Sequence, residues 1–271
     1  MNEEGTQNKL EVITGKWWFF LLFILLQFVP PYTSKGFEPA ETGMVTIEIL
    51  SHSILYIYFP SMFPIFKIIP IILVISIVFL GNRVTRSFNI YVGVTYVLFA
   101  FLQNIAITEK YGLGIITINV VMFNLVAAFW FWDAVMQKND LELQKQSAWK
   151  YWVIPLAFLA FWYPSSVSEG SVVPDFNPIR ILINEAGLTF CMMTPVYLAI
   201  LTLYHPKINI ATLRVTSLVG LIIGLYNVLA NFILYASLLW WNGVLHIPLL
   251  TMSAFGLVLS FKKTPIEKLA D

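Results

Sequence analysis

Two glutamates are the residues of this chain best placed to do chemistry in an apolar setting. Glu185 falls within the apolar run 179–204, and Glu48 within the apolar run 45–59. At 1.5 Å per helical residue Glu185 would sit about 9 Å in from Ile179. An ionisable group in hydrocarbon costs about 2.5–3.5 kcal/mol on insertion scales, and such groups mark pathways or sites. Lining the path of a small or lipid-like solute is one use for them. Acid/base work on a lipid or isoprenoid is another, since two carboxyls held in different environments can divide those roles. A third, plainer reading leaves Glu185 protonated, or paired with Arg180, at the membrane interface. Asp133, between Trp130 and Trp132, reads as an interfacial anchor.

Amides extend the candidate path: Asn184 beside Glu185, Asn104, Asn227 and Asn231. Ser217, Gly220, Gly224, Asn227 and Asn231 recur at helical spacing along one stripe. Gly220 and Gly224 form a small-xxx-small contact that lets helix backbones approach, and the asparagines suit hydrogen bonds across helices. Packing alone would explain this stripe; lining a polar cavity is the sharper alternative.

Glu48, His52 and Tyr56 would share one helix face at i, i+4 and i+8. That face is a poor zinc site, because zinc takes three or four N or S ligands. His52 and His246 are weak candidates for clamping a haem, since neither falls mid-span and no CxxCH motif is present. No metal and no cofactor is expected. Walker A, HExxH, GxSxG and GxGxxG patterns are absent as well. Gly112-Leu113-Gly114 reads as a turn.

The elements that must position these residues are membrane-spanning helices. The 271 residues are 58% hydrophobic and 11% charged, whereas soluble domains carry about 25% charged residues. A net charge of +1 without a basic cluster excludes a nucleic-acid footprint. Cys191 is the only cysteine, so no internal disulfide can form. Spans are expected at 16–31, 63–82, 88–107, 113–136, 148–163, 179–204, 213–239 and 244–262, each an unbroken apolar run rather than a barrel's alternation. The segment 45–59, followed by Pro60, Pro64 and Pro70, is either an outer half-helix or a ninth span. With eight spans, one side holds twelve Lys and Arg residues and the other only Lys35, Lys67, Lys110 and Arg180. With nine the split is eleven to five. The positive-inside rule therefore favours eight spans with both termini cytoplasmic. The first span is read as uncleaved, because Val29-Pro30-Pro31-Tyr32 is a poor cleavage site.

A tandem repeat is a further expectation, with halves 16–136 and 148–262 inside a single transmembrane domain. Lys16-Trp17-Trp18 and Lys150-Tyr151-Trp152 open the first and fifth spans. Gly93 and Asn104 have the same spacing as Gly220 and Asn231, and Glu48 would correspond to Glu185. Parallel repeats of this kind occur in transporters, with sites at the repeat interface. The expected protein is thus an all-α polytopic protein of the cell (plasma or inner) membrane. Its first functional reading is a transporter or permease. A structural anchor within a larger membrane complex and an intramembrane enzyme using Glu48 and Glu185 are the alternatives. Its partners would be the bilayer and other membrane subunits or further copies of itself.

Overall fold

The computed structural model describes residues 3–142, 147–168 and 171–262, and within them the apolar runs fold as helices. The first half comprises α1 (Glu3–Thr14), α2 (Trp17–Leu26), β1 (Tyr32–Thr33), α3 (Thr42–Ser51), α4 (Ile54–Tyr58) and α5 (Phe63–Leu80). It continues with α6 (Thr85–Leu102), β2 (Ile105–Thr108), β3 (Gly112–Ile115) and α7 (Thr117–Met136). Then come α8 (Val153–Trp162), β4 (Ser165–Ser168), β5 (Ser171–Pro174), α9 (Arg180–Ile183), α10 (Phe190–Tyr204), α11 (Ile210–Leu229) and α12 (Ala236–Leu259).

Five stretches are long and apolar enough to cross a membrane: Pro60–Arg83, Thr85–Leu102, Thr117–Met136, Ile210–Leu234 and Ala236–Leu259. A sixth crossing arises if α9 and α10 are taken as one span bent by 94°. The expected first and fifth spans are the ten-residue α2 and α8, about 15 Å each against ~30 Å of hydrocarbon. Helix length thus accounts for five or six of the eight expected spans.

The chain gathers its loops at two ends. At one, Asn82 Nδ2 donates to Asp140 (2.9 Å), the Asp140 N–H to Lys207 O (2.8 Å), and Gln7 Nε2 of α1 to Asn209 (2.9 Å). At the other, β1, β3 and β2 form an antiparallel sheet in that order, and β4 pairs with β5. These are called the α1 end and the sheet end below. They collect the loops expected inside and outside respectively. Residues 143–146 of the expected inner connector, and Lys263 and Lys268 near the C-terminus, lie outside the described residues.

Helix α10 is the axis of the bundle, with Phe190, Met193, Thr194, Tyr197, Leu198 and Leu201 all buried. Around it pack the hairpins α6–α7 and α11–α12 and the short α8. A Cβ on Gly220 would stand 2.2 Å from Ser253 Oγ, one on Gly224 3.0 Å from Leu250 Cα, and one on Gly256 2.5 Å from Ser217 Oγ. The stripe of α11 therefore faces α12 at near backbone contact.

Four sequence expectations need correction. The third and fourth spans do not run through 88–107 and 113–136. Their facing ends form β2 and β3, so Gly112-Leu113-Gly114 is strand, closed by pairs such as Ala106 with Gly114. The outer segment 45–59 is not one helix either. His52 ends α3 and Ser53 bridges to Ala106 before α4 begins, which destroys the shared face of Glu48, His52 and Tyr56. The sixth span is broken at Asn184–Thr189. The seventh closes with a π turn at Ala230–Leu234, so the eighth begins earlier, at Ala236.

Candidate functional site at the broken helix

Asn184 starts the break. Its extended backbone (ψ 173°) halts α9, and its Oδ1 accepts the Ala186 N–H at 3.2 Å. Its Nδ2 donates to Trp162 O (2.9 Å) and Tyr163 O (2.7 Å), tying the break to the end of α8. The next residues, Glu185–Leu188, make a buried 3₁₀ turn. That turn lies against α5, where Pro70 cannot supply the N–H that the Phe66 carbonyl would accept in an unbroken helix.

Glu185 is 7% exposed and Lys67 of α5 is 0% exposed. Lys67 Nζ donates to Phe161 O and lies 4.2 Å from the Phe161 ring centroid. Phe161 belongs to the last turn of α8, where unsatisfied carbonyls carry negative partial charge and favour a cation. Lys67, Arg180, Tyr56 and Tyr163 lie within electrostatic range of the Glu185 carboxyl. Lys67 and Glu185 are nonetheless not among the ion pairs of the described residues. A carboxyl and an amine are thus buried within electrostatic range of one another without forming an ion pair.

Arg180 is not the close partner that the plain reading of Glu185 requires. Its guanidinium pairs with Asp175, at 2.6 and 2.7 Å. The Asn177 N–H and then this guanidinium hold the Asp175 carboxyl below the usual carboxylate range.

A belt of amides continues from the break. Tyr163 Oη donates to Asn242 (3.2 Å), Asn242 Nδ2 to Asn231 (3.0 Å), and Asn231 Nδ2 to Asn227 O (2.8 Å). Asn227 reaches Cys191 Sγ at 3.6 Å. His246 Nδ1 lies 2.8 Å from Asn242 O, and its ring stands edge-on to Tyr163. Asn184, Glu185, Asn227 and Asn231 therefore belong to one region of the bundle.

Glu48 and Asn104 do not join them. Glu48 lies half-exposed on α3, 3.5 Å from His52. Asn104 falls beyond the end of α6, where it donates to Phe99 O and accepts from Asn119, each at 2.8 Å, at the base of the β2–β3 hairpin. His52 is exposed on α3 while His246 is buried on α12. Among the described residues no group of three or more His, Cys, Asp or Glu is arranged to hold a metal.

Lys67 is the member that sequence reasoning missed. The charge count places it on the outer side of the expected span 63–82 and asks nothing more of it. The available signal was its position seven residues into an otherwise apolar run that starts at Pro60.

A second buried polar cluster closes the α1 end. Asp133, read as an interfacial anchor, is 0% exposed there and accepts from Asn89 (2.7 Å) and Asn209 (3.0 Å). Asn139 donates to Asn89, the Asn209 N–H to Asn139, and Trp132 Nε1 to Gln7. Each donor there has an acceptor, so this cluster reads as a closed structural knot. Compared with protein-family models, with curated proteins and with solved structures, the chain matches none of them.

Proposed function

We propose that the chain is a multi-pass transporter or permease for a small or lipid-like solute, with its path at the Glu185–Lys67 break. The observation that carries this reading is a buried Glu185 and a buried Lys67, not ion-paired with each other, at a helix bent by 94°. Discontinuous helices with charges held inside the apolar layer are the recurring site architecture of secondary transporters. The intramembrane acid/base reading would need Glu48 beside Glu185, and these two occupy separate elements.

The proposal includes eight crossings in a 4+4 arrangement, with α2 and α8 as half-length members flanked by their outer loops. The two ten-residue helices and the two close hairpins α6–α7 and α11–α12 support it. In the latter, Gly93 admits Phe131 as Gly220 admits Ser253. A shift of 127 residues matches Phe63 with Phe190, Gly93 with Gly220 and Asn104 with Asn231. In this register Glu185 corresponds to Tyr58 rather than Glu48, so the paired-glutamate part of the repeat is dropped.

Both termini are proposed to be cytoplasmic, in the plasma or inner membrane. A cysteine at Ser166 should react with an impermeant maleimide added to intact cells, and one at Ser147 should stay protected. Reversed labelling would invert the topology. For function, proteoliposomes should be screened with labelled amino acids, sugars, nucleosides and lipid analogues. A carried solute should be taken up faster than by empty liposomes. Glu185→Gln should slow it by about tenfold, a loss of ~1.4 kcal/mol, with Asp133→Asn less affected. Uptake by no member of the panel, together with a stoichiometric partner in native membranes, would favour the anchoring role instead.

A further inference from the structure

One guanidinium ties two distant parts of the chain together at the α1 end. Arg214 donates to Thr14 Oγ1 (3.0 Å), on the last residue of α1, and to Ser260 O (2.8 Å), just past α12. Lys16 and Lys262 each lie two residues beyond these contacts, so both belong to one junction. Ring contacts extend it. Phe20 of α2 meets Phe261 with centroids 5.9 Å apart, and the Arg214 guanidinium lies 4.5 Å from the Phe261 ring. Lys262 Nζ stands 5.9 Å from the ring of Trp149, in the 3₁₀ turn Ala148–Lys150 that precedes α8.

Lys16, Trp17, Trp149, Phe261 and Lys262 are all exposed. Among the described residues, neither Lys16 nor Lys262 belongs to an ion pair. From Lys16 the exposed side of α2 continues through Trp17, Leu21, Ile24 and Leu25, which share one face at helical spacing. The junction therefore offers two cations at its head and an apolar stripe leading away from them. We propose that it binds an anionic phospholipid of the surrounding bilayer, with the headgroup on Lys16 and Lys262 and an acyl chain along α2. Tryptophans settle at headgroup depth, and basic pockets between helices hold anionic headgroups on the cytoplasmic side, the side proposed for this end. A zwitterionic lipid brings its own cation, which the two lysines repel. A free phosphate would meet the lysines but leave the apolar stripe uncovered. The inference does not depend on which solute passes the Glu185 break.

The test uses the full chain in a mild detergent, with phosphatidylglycerol or phosphatidylcholine of the same chain length added, read by native mass spectrometry and by thermal melting. Phosphatidylglycerol should stay bound and raise the melting temperature, and phosphatidylcholine should do neither. The double variant Lys16→Gln/Lys262→Gln should bind phosphatidylglycerol about tenfold more weakly. Lys16→Arg/Lys262→Arg keeps both charges and should bind it like wild type. So should Arg86→Gln, which removes an exposed cation of α6 at the same end of the bundle. Equal retention of the two lipids by the wild-type chain overturns the proposal. Undiminished binding in a folded double glutamine variant does so too. An equal loss in Arg86→Gln would overturn it by showing diffuse attraction to the whole end, and protection by glycerol 3-phosphate alone would overturn it in favour of a free phosphate.

Discussion

Gly187→Val is expected to produce the largest loss of stability among single substitutions in this chain. A Cβ at position 187 would lie 2.3 Å from the Phe66 carbonyl oxygen, 2.6 Å from its carbon and 3.0 Å from the Lys67 nitrogen. All three are backbone atoms and cannot rotate away. Pro70 sets up the approach, since it leaves the Phe66 carbonyl without its helical donor. Overpacking a close contact costs roughly 1–3 kcal/mol, and more where backbone must shift. A drop of several degrees in the detergent melting temperature should follow. Gly43→Val, with nothing within 4 Å of its Cβ, should melt within a degree or two of wild type. Because Lys67 adjoins the contact, Gly187→Val should also disturb the site. Equal melting of the two variants would mean that the turn does not press against α5.

The second large effect concerns the separated charges. The two groups sense each other without forming an ion pair, so removing one should cost less than the roughly 3–5 kcal/mol of breaking a true buried pair. Lys67→Met should still lower the melting temperature, as the methionine fills the space but leaves Glu185 with only Arg180 as a cation in electrostatic range. Adding Glu185→Gln to Lys67→Met should restore part of the loss, because no charge then remains to be compensated. A double-mutant cycle from thermal melts reads the coupling directly. Strictly additive losses would show that the two charges do not sense each other, and would remove the electrostatic basis of the site.

Apolar runs announced the helices because hydrocarbon admits little else, and Gly220 and Gly224 were visible as special points on them. The breaks were harder to see. Nothing in the spelling of Asn184-Glu185-Ala186-Gly187 distinguishes a 3₁₀ turn from helix; the turn exists because Asn184 finds the carbonyls of Trp162 and Tyr163 and Gly187 finds Phe66. Those partners are remote in sequence. The β2–β3 hairpin was hidden for a related reason, since Ile105–Ile107 and Leu113–Ile116 are as apolar as the helices they extend. Glu185 was legible as an isolated charge. Lys67 was not, because a count of charges by side assigns a lysine near the outer end of a span to that side without asking what could solvate it inside the protein. At Asp133 the flanking tryptophans mark the end of a span, while the two amides that bind its carboxyl, Asn89 and Asn209, come from other segments and could not be read locally.

The docking of α1 has a consequence for the order of events during synthesis. Gln7 bonds to Asn209, 202 residues later. The Arg214 guanidinium grips Glu11 O (2.8 Å) and Thr14 Oγ1 (3.0 Å) while donating to Ser260 O (2.8 Å). At 5–20 residues per second, α1 emerges from the ribosome roughly 10–40 s before those partners exist. Until then Gln7 and the backbone of residues 11–14 have only water or the membrane surface to bond. A segment made early is thus seated late, and its seating reports that α11 and α12 have arrived. A chain interrupted before Arg214 would leave α1 unclasped at the membrane surface, a ready handle for the proteases that remove unfinished membrane proteins.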